Sequence, residues 1–324
     1  MKQMWLLLGI IFFSVLFLLL NTIFSSQDLQ NQYFRIHPGE SAASISQRLA
    51  AEDLISSQQI FYWFTRLSGS DQALSYGLYR FDGEFNMYQL LSKIKDGHVQ
   101  LRKITIPEGL TLEKTIDILE KEQFGEKTEF LSWCYDADFA KELTGFDLPN
   151  LEGFLYPETY HFPETAAEKY IIQTMVNQHF AQTKYLDFAN SADLDYYQVM
   201  ILASIVEREA QIAEEKPLIA SVYLNRLEIG MKLQADPTVA YALEKIGKNR
   251  KKIYYKDLKI DSSFNTYLHS GLPPAPICSP ERGAIEAVLN PAETDYYFFF
   301  ASGGGAHTFS QTYSQHLSRQ RINQ

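Results

Sequence analysis

The sequence predicts an α+β protein: an N-terminal transmembrane helix, a small α+β module and a larger mixed α+β domain. Three observations predict it. The chain opens on an uncharged apolar run of membrane-spanning length. Strand–turn–helix units then recur over the first third, and long helical segments afterwards alternate with loop-rich and strand-forming stretches.

The opening run, "MWLLLGIIFFSVLFLLL" from Met4 to Leu20, carries no charge and continues through Thr22, Ile23 and Phe24. It reaches the roughly 17–25 residues that cross a bilayer and exceeds an ordinary signal-peptide core. Lys2 is the only charged side chain ahead of it, so the positive-inside tendency puts the N-terminus in the cytoplasm. "NTIFSSQ" offers no A-x-A cleavage site. Residues 1–24 therefore read as a retained single-pass anchor in the cell membrane, with the remainder extracytoplasmic. "SSQDLQNQY", residues 25–33, reads as a polar tether.

Residues 34–122 form the small module. "YFRIHPGESAASISQRL" alternates as a strand through Phe34 and Ile36, turns at Pro38-Gly39 and starts a helix capped by Ser41. The pattern returns at "LYRFDGEFNMYQLLSKIKDGH", with Asn86 as cap and Gly97 closing the helix, and at "RKITIPEGLTLEKTIDIL", with Thr111 as cap. An apolar residue (Leu49, Ile94, Leu119) stands two helical turns past each cap.

Residues 123–324 form the larger domain. Helical material is expected at Thr128–Leu143, 164–182 and 193–213, and at 216–229, where Pro217 opens the helix and Gly230 stops it. "GFDLPNLEGFLYPETYHFP" is too rich in Pro, Gly and aromatics for regular structure. "DYYFFFASGGGAHTF" reads as a hairpin.

Bulk composition excludes several classes. With 29 Lys+Arg against 39 Asp+Glu the net charge is −10, the wrong sign for nucleic acid. The one dense basic stretch, "GKNRKK" at 247–252, reads as a solvated loop. Cys134 and Cys278 are too few for a disulfide scaffold, and their spacing does not show that they meet. The seven histidines form no H-E-x-x-H, so neither metal nor cofactor is implied.

"ILASIVEREAQIAEEK", residues 201–216, places Glu207 directly behind Ile205 and Val206. On a helix Glu207 shares a face with Met200, Ala203, Ser204, Ala210 and Gln211, small or flexible side chains that leave room beside it. Glu209 lies roughly opposite, aligned with Leu202, Ile205, Val206 and Ile212. A carboxyl group kept dry is protonated unless it is paired, and a protonated Glu is what a general acid requires. Against this stands the plainer reading, in which the helix simply emerges into water at Glu207.

"ASIVEREA", "SVYLNRLEIGMKLQADPTVAYAL", "LEGFLYPETY", "FNTYLHSGLPPAPICSP" and "FFFASGGGAHTF" resemble the membrane-anchored endolytic murein transglycosylase family, also called YceG-like, over essentially the whole chain. "IHPGESAASISQRL" also resembles the opening of a LysM module, a β–α–α–β unit of wall-binding proteins, though a plain spacer fits equally. The resemblance puts Glu207 at the family's catalytic glutamate. Its cleft motifs fall on Glu152, Tyr156, Pro157, Thr159 and Tyr160; Asn225 and Arg226; Gln234, Asp236, Pro237 and Thr238; Asn265, Thr266 and Tyr267; and His307, Thr308 and Phe309. Glu158 stands where an aspartate is common, which leaves its role open. Asp236-Pro237-Thr238 and Asn265 also read as turn and cap residues, and His307 as a rim residue.

The implied reaction needs one acid. It protonates the oxygen between MurNAc and GlcNAc, and the sugar's own C6 hydroxyl then closes a 1,6-anhydro ring. Gln234, Asn265, Thr238 and Tyr160 would orient sugar groups, with Tyr156 and Tyr267 as stacking faces. Implied partners are peptidoglycan strands, the membrane and peptidoglycan synthases, with no nucleic acid. One alternative is a hydrolytic muramidase with a second carboxylate at Asp236, Glu209 or Glu152. The other is a non-catalytic wall-binding scaffold.

Overall fold

The computed structural model describes residues 2–190, 194–250 and 252–322. The chain is α+β and divides into two compact units, Met1–Lys103 with His161–Ala166, and Ile104–Tyr160 with Ala167–Gln324.

The first unit starts with α1 (Lys2–Phe24), long and apolar enough to cross a membrane. Strand β1 (Gln27–Ile36) follows almost at once, so the stretch expected as a tether is mostly sheet. The reason lies in its exposure: of its first seven residues only Leu29 is buried, and a strand with polar side chains on its open face imitates a linker in sequence. Next come α2 (Ala42–Ala51), α3 (Gln58–Leu67), β2 (Gly77–Phe85) and α4 (Met87–Lys95). β1 and β2 pair antiparallel, with Phe34 opposite Tyr79 and Ile36 opposite Gly77. Phe34, Ile45, Leu49, Phe61, Tyr79, Phe81 and Ile94 fill the core, and Ile23 near the end of α1 packs against it. Ser41 accepts from the Ser44 N–H, and Asn86 forms a full capping box with Gln89.

The second unit takes the end of β3 (Leu101–Thr105), then α5 (Leu112–Lys121), capped by Thr111, α6 (Lys127–Cys134) and α7 (Ala137–Thr144). The single helix expected at Thr128–Leu143 is thus two, because Asp136 leaves helical backbone and caps α7. β4 (Thr159–Pro163) begins beside β3, with the Thr105 and Thr159 hydroxyls 2.9 Å apart. The long helices are α8 (Glu168–Thr183), α9 (Tyr196–Glu209) and α10 (Lys216–Glu228). Residue 193, where the predicted α9 begins, and Lys251 of the basic loop lie outside the described residues. Three further helices, α11 (Asp236–Lys245), α12 (Arg282–Leu289) and α13 (Tyr313–Ile322), accompany the expected hairpin of β5 (Phe298–Gly303) and β6 (Ala306–Ser310). Cys134 and Cys278 are both buried free thiols.

α9 runs through the middle of this core. Val199 to Glu207 are all buried, packed by Ile219 and Tyr223 of α10, Ile285 and Val288 of α12, and Tyr241 of α11.

Candidate active site

Asp195 starts α9 with a capping box to Gln198. Ala210 ends it by turning to extended backbone at ψ 125°. The helix therefore delivers Glu207 and Glu209 at its last turn, on nearly opposite sides.

Glu207 is 7% exposed and its carboxylate is engaged. Lys216 Nζ donates to Oε1 and Oε2 at 3.4 and 3.2 Å, and the Glu281 N–H donates to Oε2 at 3.2 Å. The same ammonium also meets Glu281 Oε1 at 2.5 Å. Burial pushes the Glu207 carboxyl up and the Lys216 charge pulls it back. For Lys216, burial lowers the pKa, but the hydrogen bond to Glu281 and the Glu207 charge outweigh it and leave it raised. The close geometry favours an ionised Glu207 held by a charged Lys216.

Glu209 is placed differently. It lines a cavity of about 640 Å³ together with Gln234, Asp236, Tyr267 and His307, and also with Tyr223, Arg226, Tyr254 and Tyr255. Its side chain makes no hydrogen bond or ion pair within the described residues. Burial pushes its carboxyl up to about 8, the Asp236 carboxylate adds to the rise, and Arg226 opposes it. A position at a helix C-terminus also disfavours an anion. The volume lies in the range of small-ligand clefts.

The cavity wall is fixed by buried polar groups. Arg226 donates to the carbonyls of Tyr297 and Leu233, each at 2.6 Å. Thr238 and Thr266 hydroxyls lie 2.9 Å apart, and Thr266 accepts the Ala235 N–H at 3.0 Å. Asn265 donates to the Leu258 and Ile260 carbonyls and accepts the Tyr267 N–H, so it caps its own loop. Between them, Gln234 adopts φ +50°, a conformation that costs a non-glycine residue and clusters at functional sites. Tyr267 donates to Asp236 at 2.7 Å, and His307 meets Glu215 at 2.7 Å through Nδ1.

Eight expected site residues are not among those lining this cavity: Glu207, Thr238, Asn265 and Thr266, described above, and Glu152, Tyr156, Thr159 and Tyr160. Glu152 is buried, accepts the Leu112 N–H and the Tyr241 hydroxyl, and burial raises its carboxyl to about 7. Tyr156 accepts the Arg282 N–H, Tyr160 donates to the Tyr156 carbonyl, and Thr159 bonds Thr105. Sequence reasoning passed over Tyr254 and Tyr255, which are 52% and 91% exposed at the rim. "IYYKD" gave a signal, since paired aromatics in a polar loop rarely serve packing. The Lys252 of "GKNRKK" also reaches the cavity.

Fold and site together define an α+β protein whose polar, aromatic-rimmed cleft holds a half-buried carboxyl group unpaired among the described residues. The chain belongs to the YceG-like family, whose pattern residues 34–322 match. It is 31% identical over 300 residues to the endolytic murein transglycosylase of Bacillus subtilis (strain 168), covering 87% of this chain and 81% of that one. To the endolytic murein transglycosylase of Streptococcus pneumoniae serotype 2 it is 28% identical over 294 residues, covering 82% of this chain and 53% of that one, about half its length. The crystal structure of a YceG-like protein from Listeria monocytogenes aligns with a TM-score of 0.61 at 32% identity, covering 89% of this chain and 98% of that one.

Proposed function

We infer that this protein is a lytic transglycosylase that cuts murein glycan strands internally, with Glu209 as its acid. The carrying observation is the Glu209 carboxyl, unpaired and raised to about 8 in an open cavity, in a chain similar to two endolytic murein transglycosylases. Glu209 protonates the glycosidic oxygen between MurNAc and GlcNAc as the C1–O bond breaks. The resulting carboxylate accepts the proton of the C6 hydroxyl of that MurNAc while its oxygen bonds C1. The anhydro ring closes, and Glu209 is again protonated. The nucleophile belongs to the substrate, so its effective concentration is high and no activated water is needed. Gln234, Asp236, Tyr267 and His307 line the bound strand. Glu207, the acid expected from the sequence, instead fixes Lys216 and the start of α12 through Glu281.

The test is a pair of variants digesting isolated sacculi. Glu209→Gln keeps the fold and releases no 1,6-anhydro-muropeptides. Glu207→Gln still releases them, from a less stable protein, since removing one partner of a buried ion pair strands the other. The reverse pattern would return the acid to Glu207. Asp236, on the same cavity, keeps a hydrolytic reading in play, and product mass decides it, because hydrolysis adds one water.

The strand–helix–helix–strand order of β1, α2, α3 and β2 supports a LysM-like, wall-facing role for the module at 34–122, ahead of a catalytic domain at 123–324. α1 is read as the anchor that keeps the cleft extracytoplasmic, beside the synthases whose growing strands it would terminate.

A further inference from the structure

Two residues that line the Glu209 cavity carry a polar atom that the reaction above leaves unused. Tyr223, on α10, lines the cavity and is 1% exposed, yet its hydroxyl has no hydrogen-bond partner within the described residues. His316, on α13, lines the same cavity, and its buried Nδ1 is likewise without a partner. A buried hydroxyl in this state forfeits the hydrogen bonds it would make in water, and native folds seldom tolerate that without a reason. Phenylalanine would fill the space at no such loss.

Neither ring needs its polar atom to stay in place. Tyr223 meets Phe299 edge-on, with centroids 5.7 Å apart at 82°. His316 stacks on Tyr313 at 6.1 Å and 19° and meets Phe300 edge-on at 5.4 Å. Packing holds both rings, so neither polar atom is needed to keep its side chain in place. Burial, with the Glu209 charge adding, keeps the phenol protonated, so it can act as a donor. Burial lowers the His316 pKa, with Arg226 adding, which favours a neutral ring.

We propose that Tyr223 and His316 form a sugar-binding subsite in this cavity, in which the Tyr223 hydroxyl donates to an oxygen of the glycan unit seated beside Glu209 and His316 Nδ1 contacts the same strand. This rests on the glycan-cutting reading and adds two substrate contacts to it.

The test separates the two. Binding of a GlcNAc–MurNAc tetrasaccharide is measured by calorimetry on the full-length Glu209→Gln chain, which does not turn it over. Adding Tyr223→Phe raises Kd about tenfold, the worth of one hydrogen bond, while Tm stays level or rises because an orphaned hydroxyl has gone. His316→Phe, which keeps the ring stacking and removes Nδ1, raises Kd in the same direction. With Glu209 intact, Tyr223→Phe lowers kcat/KM about tenfold. A Kd within twofold of the parent in both variants overturns the subsite, as does a fall in Tm from Tyr223→Phe with Kd unchanged. Failure of the unmodified chain to release anhydro products would instead sink the reading on which the subsite rests.

Discussion

A general acid must keep its proton at working pH and still reach solvent-borne substrate, and the last turn of α9 offers two carboxyl groups that differ on both counts. Glu207 has a buried ammonium 3.2 Å away. Glu209 has no such partner among the described residues, feels the Asp236 carboxylate and sits at a helix C-terminus. The sign of the resulting pH dependence follows from its pKa of about 8 against an ordinary 4.5. Between those values the folded chain holds a proton that the unfolded chain has released. The stabilisation is complete below about pH 4.5 and is lost as pH rises through 8. Glu152, raised to about 7, acts with the same sign over a narrower window. Thermal melts of the wild type should therefore show Tm falling from pH 5 to pH 8. Glu209→Gln should flatten the upper part of that fall and melt higher than wild type at pH 8. Turnover should decline as pH rises through about 8, as the acid form is lost. A Tm at pH 8 unchanged by Glu209→Gln would mean that the carboxyl is not raised. The sequence brought both glutamates into view, and the family resemblance put Glu207 first. What separates them is Lys216 on the next helix, Glu281 ahead of α12 and the cavity wall around Asp236, and no helical periodicity carries that information.

Among the elements, those legible in the sequence announce their own ends. Ser41, Asn86 and Thr111 cap helices as their spacing suggests, and Leu49, Ile94 and Leu119 are fully buried. The glycine-turn hairpin at β5 and β6 follows from local chemistry in the same way. α3, α11 and α13 were illegible for different reasons. The apolar run Ile60–Phe64 masks the period of α3, where Phe61 and Thr65 are the buried positions. α11 opens on Asp236-Pro237, which also reads as a turn, and α13 buries no whole residue, only single atoms such as His316 Nδ1. The element that matters most for the site is α9, because its register sets which glutamate meets the cavity. Asp195 caps its start, accepting the Gln198 N–H at 2.8 Å while the Gln198 side chain accepts the Asp195 N–H at 2.9 Å. Asp195→Ala should cost about 1 kcal/mol, or roughly 2–4 °C in Tm. Buried packing along the rest of α9 should hold the register, so specific activity per folded molecule should stay near wild type. A large loss of activity without loss of Tm would show that the cap governs the site directly.

For the whole molecule, the decisive relation is between the anchor and the fold that follows it. α1 presents bare apolar surface along its length, with no buried residue, as a helix in lipid does. Its C-terminal end is not free, because Ile23 packs against the core of the first unit and β1 begins at Gln27. That core therefore follows α1 with no slack chain between. The proposed reaction requires the chain after Phe24 to lie outside the cell, where the wall is. That topology can be measured directly. The full-length chain should remain with membranes after an alkaline carbonate wash. Protease added to intact spheroplasts should degrade everything beyond Phe24 and leave a membrane-protected fragment close to α1 in size. If the large fragment survives external protease and falls only after lysis, the cleft faces the cytoplasm. Peptidoglycan strands would then lie on the wrong side of the bilayer for Glu209 to reach them.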